Sequence, residues 1–168
     1  MNARGVLGWL RHGALPMLLA RLCVGGVYVW YGVNKVREPA AFMKALHGYA
    51  TLPSDPPYWL NLTVVVLPWI EILCGSLLLL GLWLRSAAAM LFVMTVAFTV
   101  MVAMRASAIA AAQALPLCGV KFDCGCGVGE VWFCSKLAEN SALIVLAALA
   151  LWSRSRHLML GRARKADS

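Results

Sequence analysis

Four long apolar stretches constrain what this chain can fold into more than any other feature of its sequence. Each has about the 20 residues that a helix needs to cross a hydrocarbon core of roughly 30 Å. The 168 residues are 62% hydrophobic and 13% charged, whereas soluble domains are about 25% charged. An ordinary soluble domain is therefore excluded, and the pattern predicts a single all-α membrane domain over residues 1–168, a bundle of four transmembrane helices.

Charged residues and prolines separate the predicted spans. Pro68 falls inside the second span, where it should bend the helix or free a backbone carbonyl. Arg85 and Ser86 predict a tight turn into the third span, and the apolar residues that follow this span predict a helix that projects beyond the bilayer. The predicted spans cover about residues 13–33, 59–84, 87–104 and 131–152.

The segment after the first span, residues 38–52, is amphipathic. Phe42 and Leu46 recur at helical spacing, with Lys44 on the polar side. This pattern is typical of a short helix that lies in the headgroup region. A group of prolines that begins at Pro53 should end it.

The basic residues predict the orientation of the chain. The net charge is +8, but the basic residues lie at the ends of apolar runs, where they mark topology and contact anionic lipid rather than nucleic acid. With four spans, both termini and the Arg85 turn share one face, which carries more Lys and Arg than the other. The positive-inside rule therefore predicts cytoplasmic termini, a basic cytoplasmic tail over residues 153–168, and an extracytoplasmic loop over residues 116–134.

That loop contains four cysteines, Cys118, Cys124, Cys126 and Cys134. They allow three pairings, and the sequence does not choose among them. A bond between Cys124 and Cys126 would close a very small ring, and strain makes a disulfide easier to reduce. We therefore predict that Cys124 and Cys126 are the catalytic pair, and that Cys118 and Cys134 form a structural disulfide or act as resolving partners.

Two charges near the pair bear on thiol reactivity. Lys121 would stabilise a thiolate, whereas Asp123 would oppose it or transfer protons. Other interpretations of the loop stay open, since the four cysteines could also form two permanent disulfides. A zinc site of four thiolates would need paired C-x₂₋₄-C spacing, and haem and iron–sulfur spacings are missing. No metal site is predicted.

Ionisable residues inside membrane spans are rare and are usually paired or functional. Arg21 and Glu71 are of this kind, and either Arg21 or Lys35 could pair with Glu71. A structural role, in which Arg21 reaches toward the inner surface and Glu71 locks the packing of helices, is favoured over proton handling. Cys23 and Cys74 fall at nearly the same depth in the predicted spans. They could form a buried thiol pair, or they could be ordinary small apolar side chains in the core.

The order of these features resembles the DoxX-like superfamily, and within it the MauE-type redox-associated membrane proteins. The resemblance covers about residues 18–153, and its most specific piece is the Asp-Cys-Gly-Cys-Gly core of the loop. The other matching residues are Arg21, Leu22, Gly25, Tyr31, Gly32, Lys35, Glu38, Pro39, Ala40, Leu67, Pro68, Trp69, Glu71, Gly75, Leu80, Gly81, Trp132 and Asn140.

The resemblance implies a four-helix protein of the bacterial inner membrane, with a periplasmic loop, that handles thiols beside an exported thioredoxin-like partner. The MauE type is associated with maturation of methylamine dehydrogenase, whose small subunit is rich in disulfides. Cys124 and Cys126 are the redox residues that the resemblance implies, whereas Glu139 stands where relatives often have a basic residue. DoxX relatives include quinone-linked thiosulfate oxidation, so a quinone stays open as a cofactor and the fold alone does not fix the activity.

Two hypotheses follow. In the first, the protein is a thiol–disulfide relay or disulfide-maturation protein in the lipid bilayer, acting with an exported thioredoxin-like protein or with a client that carries disulfides. In the second, it is a non-catalytic subunit or assembly factor of a larger membrane complex, respiratory or dehydrogenase, and its disulfides are permanent. A redox titration separates them, because an exchanging Cys124–Cys126 couple titrates above about −300 mV.

Overall fold

The computed structural model describes residues 15–49, 58–126 and 129–152. This part of the chain is mostly helical, as predicted. Its helices are α1 (Leu15–Arg37), α2 (Pro39–Gly48), α3 (Tyr58–Leu80), α4 (Leu84–Gln113) and α5 (Phe133–Trp152). Between α4 and α5 lie a 3₁₀ turn (Leu117–Gly119) and two short strands, β1 (Lys121–Asp123) and β2 (Glu130–Trp132).

Three of the described helices are long and apolar enough to cross a membrane, over Tyr58–Leu80, Leu84–Gln113 and Phe133–Leu151. The prediction of a membrane protein therefore stands, with three of its four spans supported by length and composition. Helix α1 is as long as α3, with 23 residues. Its role as the first span stays a prediction. The start of that span and the basic tail 153–168 lie outside the described residues.

Helix α4 continues well beyond the span predicted for it. Its 30 residues rise about 45 Å, against a hydrocarbon core of about 30 Å. The helix ends at Ala114, which adopts a left-handed φ of 51°, two residues before Pro116. A helix of this length is longer than the hydrocarbon core is thick, as the predicted projection beyond the bilayer requires.

The turn between α3 and α4 lies earlier than predicted. Helix α3 ends at Leu80, and Gly81 and Trp83 have positive φ angles of 74° and 45°. Leu82 donates its N–H to the Leu77 carbonyl, the pairing that closes a helix whose next residue is a left-handed glycine. Arg85 therefore lies in the first turn of α4, and the signal that places the turn is Gly81 rather than the polar pair after it.

The four long helices close into a ring in which α1 packs against α3 and α5, and α4 packs against the same two helices. Glycines bring α1 and α3 together. A Cβ on Gly75 would lie 2.8 Å from the Gly25 carbonyl oxygen, and one on Gly32 would lie 2.7 Å from the Pro68 carbonyl oxygen. Small residues at these crossings let the two backbones approach, as is common between membrane helices.

Helix α2 is the amphipathic helix that the sequence predicts, but it covers fewer residues than the predicted segment 38–52. Residues 50–57, which include the prolines predicted to end it, lie outside the described chain. Phe42, Ala45 and Leu46 are buried, while Lys44 is exposed. Phe42 and Leu46 pack with Leu60 at the start of α3. The apolar side of α2 therefore faces the protein.

The cysteine loop is folded, which the sequence analysis did not predict. β1 and β2 pair antiparallel, with Phe122 opposite Val131 and Asp123 opposite Glu130. Phe122 is buried, and its two neighbours in β1 are exposed. Because β2 ends at Trp132, α5 begins at Phe133, two residues later than the predicted span.

Candidate functional site

The two central cysteines lie in a tight, buried turn over residues 123–126, here named the thiol turn. The exposed fraction is 0% for Cys124 and 2% for Cys126, and both are free thiols. The Gly125 N–H donates to Asp123 Oδ1 at 2.9 Å, and Gly125 has a φ of 72°, which glycine adopts without steric cost. The Cys126 N–H donates to the Cys124 sulfur at 3.3 Å. Gly127, the last residue of the predicted motif, lies outside the described chain.

Helix α2 covers the thiol turn. A Cβ on Gly125 would lie 3.0 Å from the Ala45 Cβ and 3.3 Å from the Phe42 ring. The Tyr49 hydroxyl, just past the end of α2, donates to the Cys124 carbonyl oxygen at 3.0 Å. Helix α2 and the turn thus form one packed unit, which explains why this position requires a glycine.

The environment separates the protonation states of the two sulfurs. The side-chain hydrogen bond from Cys126 lowers the pKa of Cys124 to about 6, and the positive charge of Lys136 acts in the same direction. The same hydrogen bond, together with burial, raises the pKa of Cys126. Burial and the negative Cys124 raise the pKa of Tyr49, so that its hydroxyl stays protonated as a donor. At neutral pH the pair is therefore one thiolate and one thiol.

Lys136 takes the role that the sequence analysis gave to Lys121. Lys121 is half-exposed and forms an ion pair across the hairpin with Glu130 at 3.4 Å. Lys136 has an exposed fraction of 2%, and its Nζ donates to the Tyr31 hydroxyl at 3.2 Å and to Glu139 Oε2 at 3.0 Å. Glu139, the residue that departs from the resemblance, is thus the partner of a buried cation.

Sequence reasoning missed Lys136 as a site residue, although a signal was present. Lys136, Asn140, Leu143 and Ala147 recur every three or four residues and are all buried. This spacing marks one inward face of α5. A lysine and an asparagine on such a face point to a polar site inside the bundle.

The buried ion pair of the bundle joins Lys35 to Glu71 at 2.6 Å. The sequence left Arg21 and Lys35 open as partners of Glu71. The observed partner is Lys35, in the last turn of α1. Arg21 instead donates to the Leu78 carbonyl oxygen at 3.2 Å, which caps the end of α3. The ion pair also lies close to aromatic rings, since Lys35 Nζ is 5.0 Å from the centre of the Phe42 ring.

A cavity of about 330 Å³, the inner cavity, lies between the helices and the thiol turn. Its wall is mostly apolar and aromatic, and Cys126 is part of it. Its charged and amide side chains are Lys35, Glu71, Lys136 and Asn140, and tyrosine and threonine hydroxyls also line it. The thiol turn, the ion pair and the buried face of α5, which the sequence analysis treated separately, therefore meet at one space.

A second, smaller space lies beside the turn. This polar cleft of about 100 Å³ is lined by Asn34, Lys35, Glu38, Asp123 and Gly125, among others. Lys35 and Phe42 line both spaces. The thiol turn and the start of α2 thus separate a polar cleft from an apolar cavity.

The outer cysteines of the loop are bonded to each other. A disulfide joins Cys118 to Cys134, with a Cα–Cα distance of 5.1 Å that is ordinary for such a bond. Cys118 is exposed, and the bond ties the 3₁₀ turn to the first turn of α5. Of the three pairings that the sequence allowed, this is the one in which Cys124 and Cys126 can pair only with each other within the loop.

The remaining thiols do not form the buried pair that the sequence suggested. Cys74 is buried, whereas Cys23 is exposed on α1. Each is free, and Cys74 belongs to the apolar core. Within the described ranges, no group of three or more His, Cys, Asp and Glu side chains is arranged to hold a metal ion.

Comparison with protein-family models identifies a match. The family model described as "Methylamine utilisation protein MauE" matches residues 13–153. That range contains every site residue named above. A search of curated proteins and a search of solved structures returned no match. The MauE-type resemblance is confirmed by the family match, and the wider DoxX-like likeness stays a prediction.

Proposed function

The chain belongs to the methylamine utilisation protein MauE family, and from this premise we propose that it is a membrane thiol–disulfide relay that matures disulfides in exported proteins. Cys124 and Cys126 form the exchanging pair, and a thioredoxin-like protein outside the membrane is the partner. The observation that carries the proposal is the split between the two sulfurs, since a low pKa at Cys124 and a raised pKa at Cys126 suit a nucleophilic and a resolving thiol.

Exchange begins from the oxidised pair. A partner thiolate attacks the Cys124 sulfur, the Cys124–Cys126 bond breaks, and Cys126 leaves and takes a proton. The second partner thiol, as its thiolate, attacks the partner sulfur of the mixed disulfide, and Cys124 leaves. The partner departs with a disulfide, two electrons poorer, and the pair is reduced. The low pKa of Cys124 speeds the last step, because a more acidic thiol is a better leaving group.

The direction of approach follows from the two spaces beside the turn. The polar cleft carries Asp123, Glu38 and Asn34, so it suits the aqueous side and a protein partner. Both cysteines are buried, and α2 packs against Gly125 between them. A partner must therefore displace Phe42 and Ala45 from Gly125 to reach Cys124, which restricts exchange to proteins that bind this edge.

The periplasmic position of the loop and the bacterial inner membrane belong to the same proposal. They rest on the basic tail and on the chemistry, since a disulfide such as Cys118–Cys134 persists in oxidising compartments. Labelling of Lys121 from either side of sealed membrane vesicles tests the orientation. Modification only from the cytoplasmic side would contradict it.

The test of the exchange is capture of the partner as a mixed disulfide. In Cys126→Ala the Cys124 thiolate attacks the disulfide of an oxidised partner, and no Cys126 thiol is present to release that partner by closing onto Cys124. After an acid quench and alkylation, the complex should be visible on a non-reducing gel. Cys124→Ala should hold far less, because the remaining thiol has a raised pKa. The double variant is the control. Equal capture by all three variants would refute the assignment of Cys124.

A second function has one observation in its favour. Both central sulfurs are buried, and the outer pair, of which Cys118 is exposed, is already a disulfide. This suits a non-catalytic assembly factor or subunit of a larger membrane complex. In that case Cys124→Ser with Cys126→Ser would leave maturation of the client unchanged. The relay requires that this double variant abolish it.

A further inference from the structure

Two buried polar atoms in the wall of the inner cavity have no hydrogen-bond partner among the described residues. They are the Asn140 amide nitrogen, a donor, and Glu71 Oε2, an acceptor. Asn140 has an exposed fraction of 2% and Glu71 of 5%. Buried polar atoms are nearly always paired, either with protein or with ordered water. An unpaired donor and an unpaired acceptor around one cavity therefore indicate ordered water, provided that the cavity has room for it.

The inner cavity has that room. Its volume is about 330 Å³, whereas one water takes up about 30 Å³ in the liquid. A buried water also needs two to four polar partners, and a purely apolar cavity stays dry. The aromatic part of the wall therefore does not hold water. The polar part does, and its charged and amide side chains are Lys35, Glu71, Lys136 and Asn140.

Cys126 lines this cavity and needs a proton each time the proposed exchange runs. It leaves the disulfide as a thiolate, and burial disfavours a thiolate. In the reduced protein, the hydrogen bond within the pair and burial raise the pKa of Cys126, and the charges of Lys136 and Lys35 oppose this rise. Neither cation is free to neutralise the sulfur. Lys35 pairs with Glu71 at 2.6 Å. Lys136 pairs with Glu139 at 3.0 Å. The leaving thiolate must therefore be protonated inside the protein.

Lys35 connects the cavity to the aqueous side. Asp123 and Gly125 line the polar cleft, Cys126 lines the inner cavity, and Lys35 lines both. An ammonium group has three N–H donors, and Glu71 Oε1 accepts from one of them at 2.6 Å. The ammonium group of Lys35 therefore has donors left for water on both sides.

We propose that ordered water in the inner cavity carries protons between Lys35 and Cys126; this inference rests on the proposed function and deepens it. Glu71 and Asn140 hold the water in place. A partner thiolate bonds to Cys124 and supplies the electron pair with which Cys126 leaves. The Cys126 thiolate takes a proton from cavity water, which takes one from the Lys35 ammonium. Lys35 then takes one from water in the cleft, so one proton enters from the aqueous side for each disulfide that opens.

The experiment follows the Cys126 proton in the full chain in lipid nanodiscs. In a Cys23→Ala/Cys74→Ala background with the outer disulfide closed, Cys124 is a thiolate at about pH 8, because its pKa is about 6. Cys126 then carries the S–H, and infrared spectroscopy follows its conversion to S–D in D₂O. The Cys126 backbone N–H donates to the Cys124 sulfur and exchanges only when the thiol turn opens. The S–H should exchange at least about tenfold faster than this N–H, without opening of the turn.

Two variants test the route. Lys35→Met/Glu71→Leu replaces the buried ion pair by apolar side chains, which a core tolerates better than one unpaired charge. It should slow exchange of the Cys126 S–H at least about tenfold and leave exchange of the backbone N–H unchanged. Asn140→Leu keeps the ion pair and should slow S–H exchange about fivefold, because cavity water loses a buried hydrogen bond. It decides the test if the double variant loosens the turn.

The matched control is Lys121→Met/Glu130→Leu, which removes the exposed ion pair of the hairpin in the same way and should change neither rate. Slowing in Lys136→Met/Glu139→Leu alone would place proton entry on α5 and overturn the role of Lys35. An S–H that exchanges no faster than the backbone N–H would overturn the hydrated cavity, as would be found for a space filled by an apolar chain from the bilayer. No partner is needed, so this failure is distinct from failed capture on Cys124.

Discussion

The two cysteine pairs of one loop differ in nearly every property that governs thiol chemistry. Cys118 and Cys134 are joined by a disulfide at the base of the hairpin, and Cys118 is exposed. Cys124 and Cys126 are free and buried, with their pKa values moved in opposite directions. The comparison shows that packing against α2 and the charge of α5, rather than the cysteine spacing, distinguish the proposed redox pair from the disulfide-bonded pair.

The largest expected effect concerns exchange itself. Cys124→Ser should lower the rate of exchange with the captured partner about a thousandfold or more, because the Cys124–Cys126 disulfide can no longer form. Cys118→Ser/Cys134→Ser should keep most of this rate. The measurement is the rate at which the partner changes redox state, followed by gel shift after alkylation. Equal losses in both variants would erase the distinction between the pairs.

Removal of the outer disulfide in Cys118→Ser/Cys134→Ser should lower the stability of the hairpin. The Cys118–Cys134 bond closes a loop with a sequence separation of 16, for which loop entropy gives about 3 kcal/mol. Cys118→Ser/Cys134→Ser should therefore lower the free energy of opening of the hairpin by about that amount, measured by hydrogen exchange at Phe122 and Val131. Cys124→Ser should change it far less. Unchanged protection after removal of the disulfide would contradict a structural role.

The third effect is a pH shift at Cys124. The thiolate is the reactive form, so alkylation should be half-maximal near pH 6, flat above pH 7 and slower in acid. Lys136→Met removes a positive charge that favours the thiolate. The pKa of Cys124 should rise by about one unit, and alkylation at pH 6 should slow accordingly.

Lys121→Met is the matched control for this shift, because Lys121 pairs with Glu130 on the exposed hairpin. Its pH profile should overlay that of the unmodified protein. A shift in Lys121→Met with none in Lys136→Met would restore the assignment made from the sequence.

The smallest expected effect tests the cover over the thiol turn. Tyr49→Phe removes the hydrogen bond to the Cys124 carbonyl, which is worth about 1 kcal/mol. Opening of the turn should become easier, and alkylation of Cys124 should speed up about fivefold at a pH where it is fully a thiolate. Tyr58→Phe, at an exposed tyrosine, should have no effect. A slower reaction in Tyr49→Phe would show that the tyrosine does more than hold the turn.

The sequence predicted the three helices that are long and apolar enough to cross a membrane, because length and apolar composition are local properties. It predicted α2 from the spacing of Phe42 and Leu46 for the same reason. The turn before α4 was placed wrongly because Arg85 and Ser86 look like a polar boundary, whereas the conformation depends on Gly81. The hairpin was missed because three-residue strands leave almost no pattern, and their pairing depends on contacts distant in sequence.

The site could be predicted only in part. Cys124 and Cys126 were identified from the motif, but the cation beside them was assigned to Lys121, which is near in sequence, instead of Lys136, which is near in space. The partner of Glu71 stayed open because Arg21 and Lys35 lie on nearly the same face of α1, about 21 Å apart along its axis. The level of α1 against α3, which the sequence does not fix, decides between them. The inner cavity could not be foreseen, since its wall comes from six separate segments that meet only in the folded bundle.

One measurement tests the central claim most directly. The membrane-embedded protein is equilibrated at a series of redox potentials, alkylated, and analysed by mass spectrometry for each cysteine pair. The account predicts that Cys124–Cys126 titrates above about −300 mV while Cys118–Cys134 stays closed throughout that range. A Cys124–Cys126 pair that never changes state, or a Cys118–Cys134 bond that opens first, would contradict it.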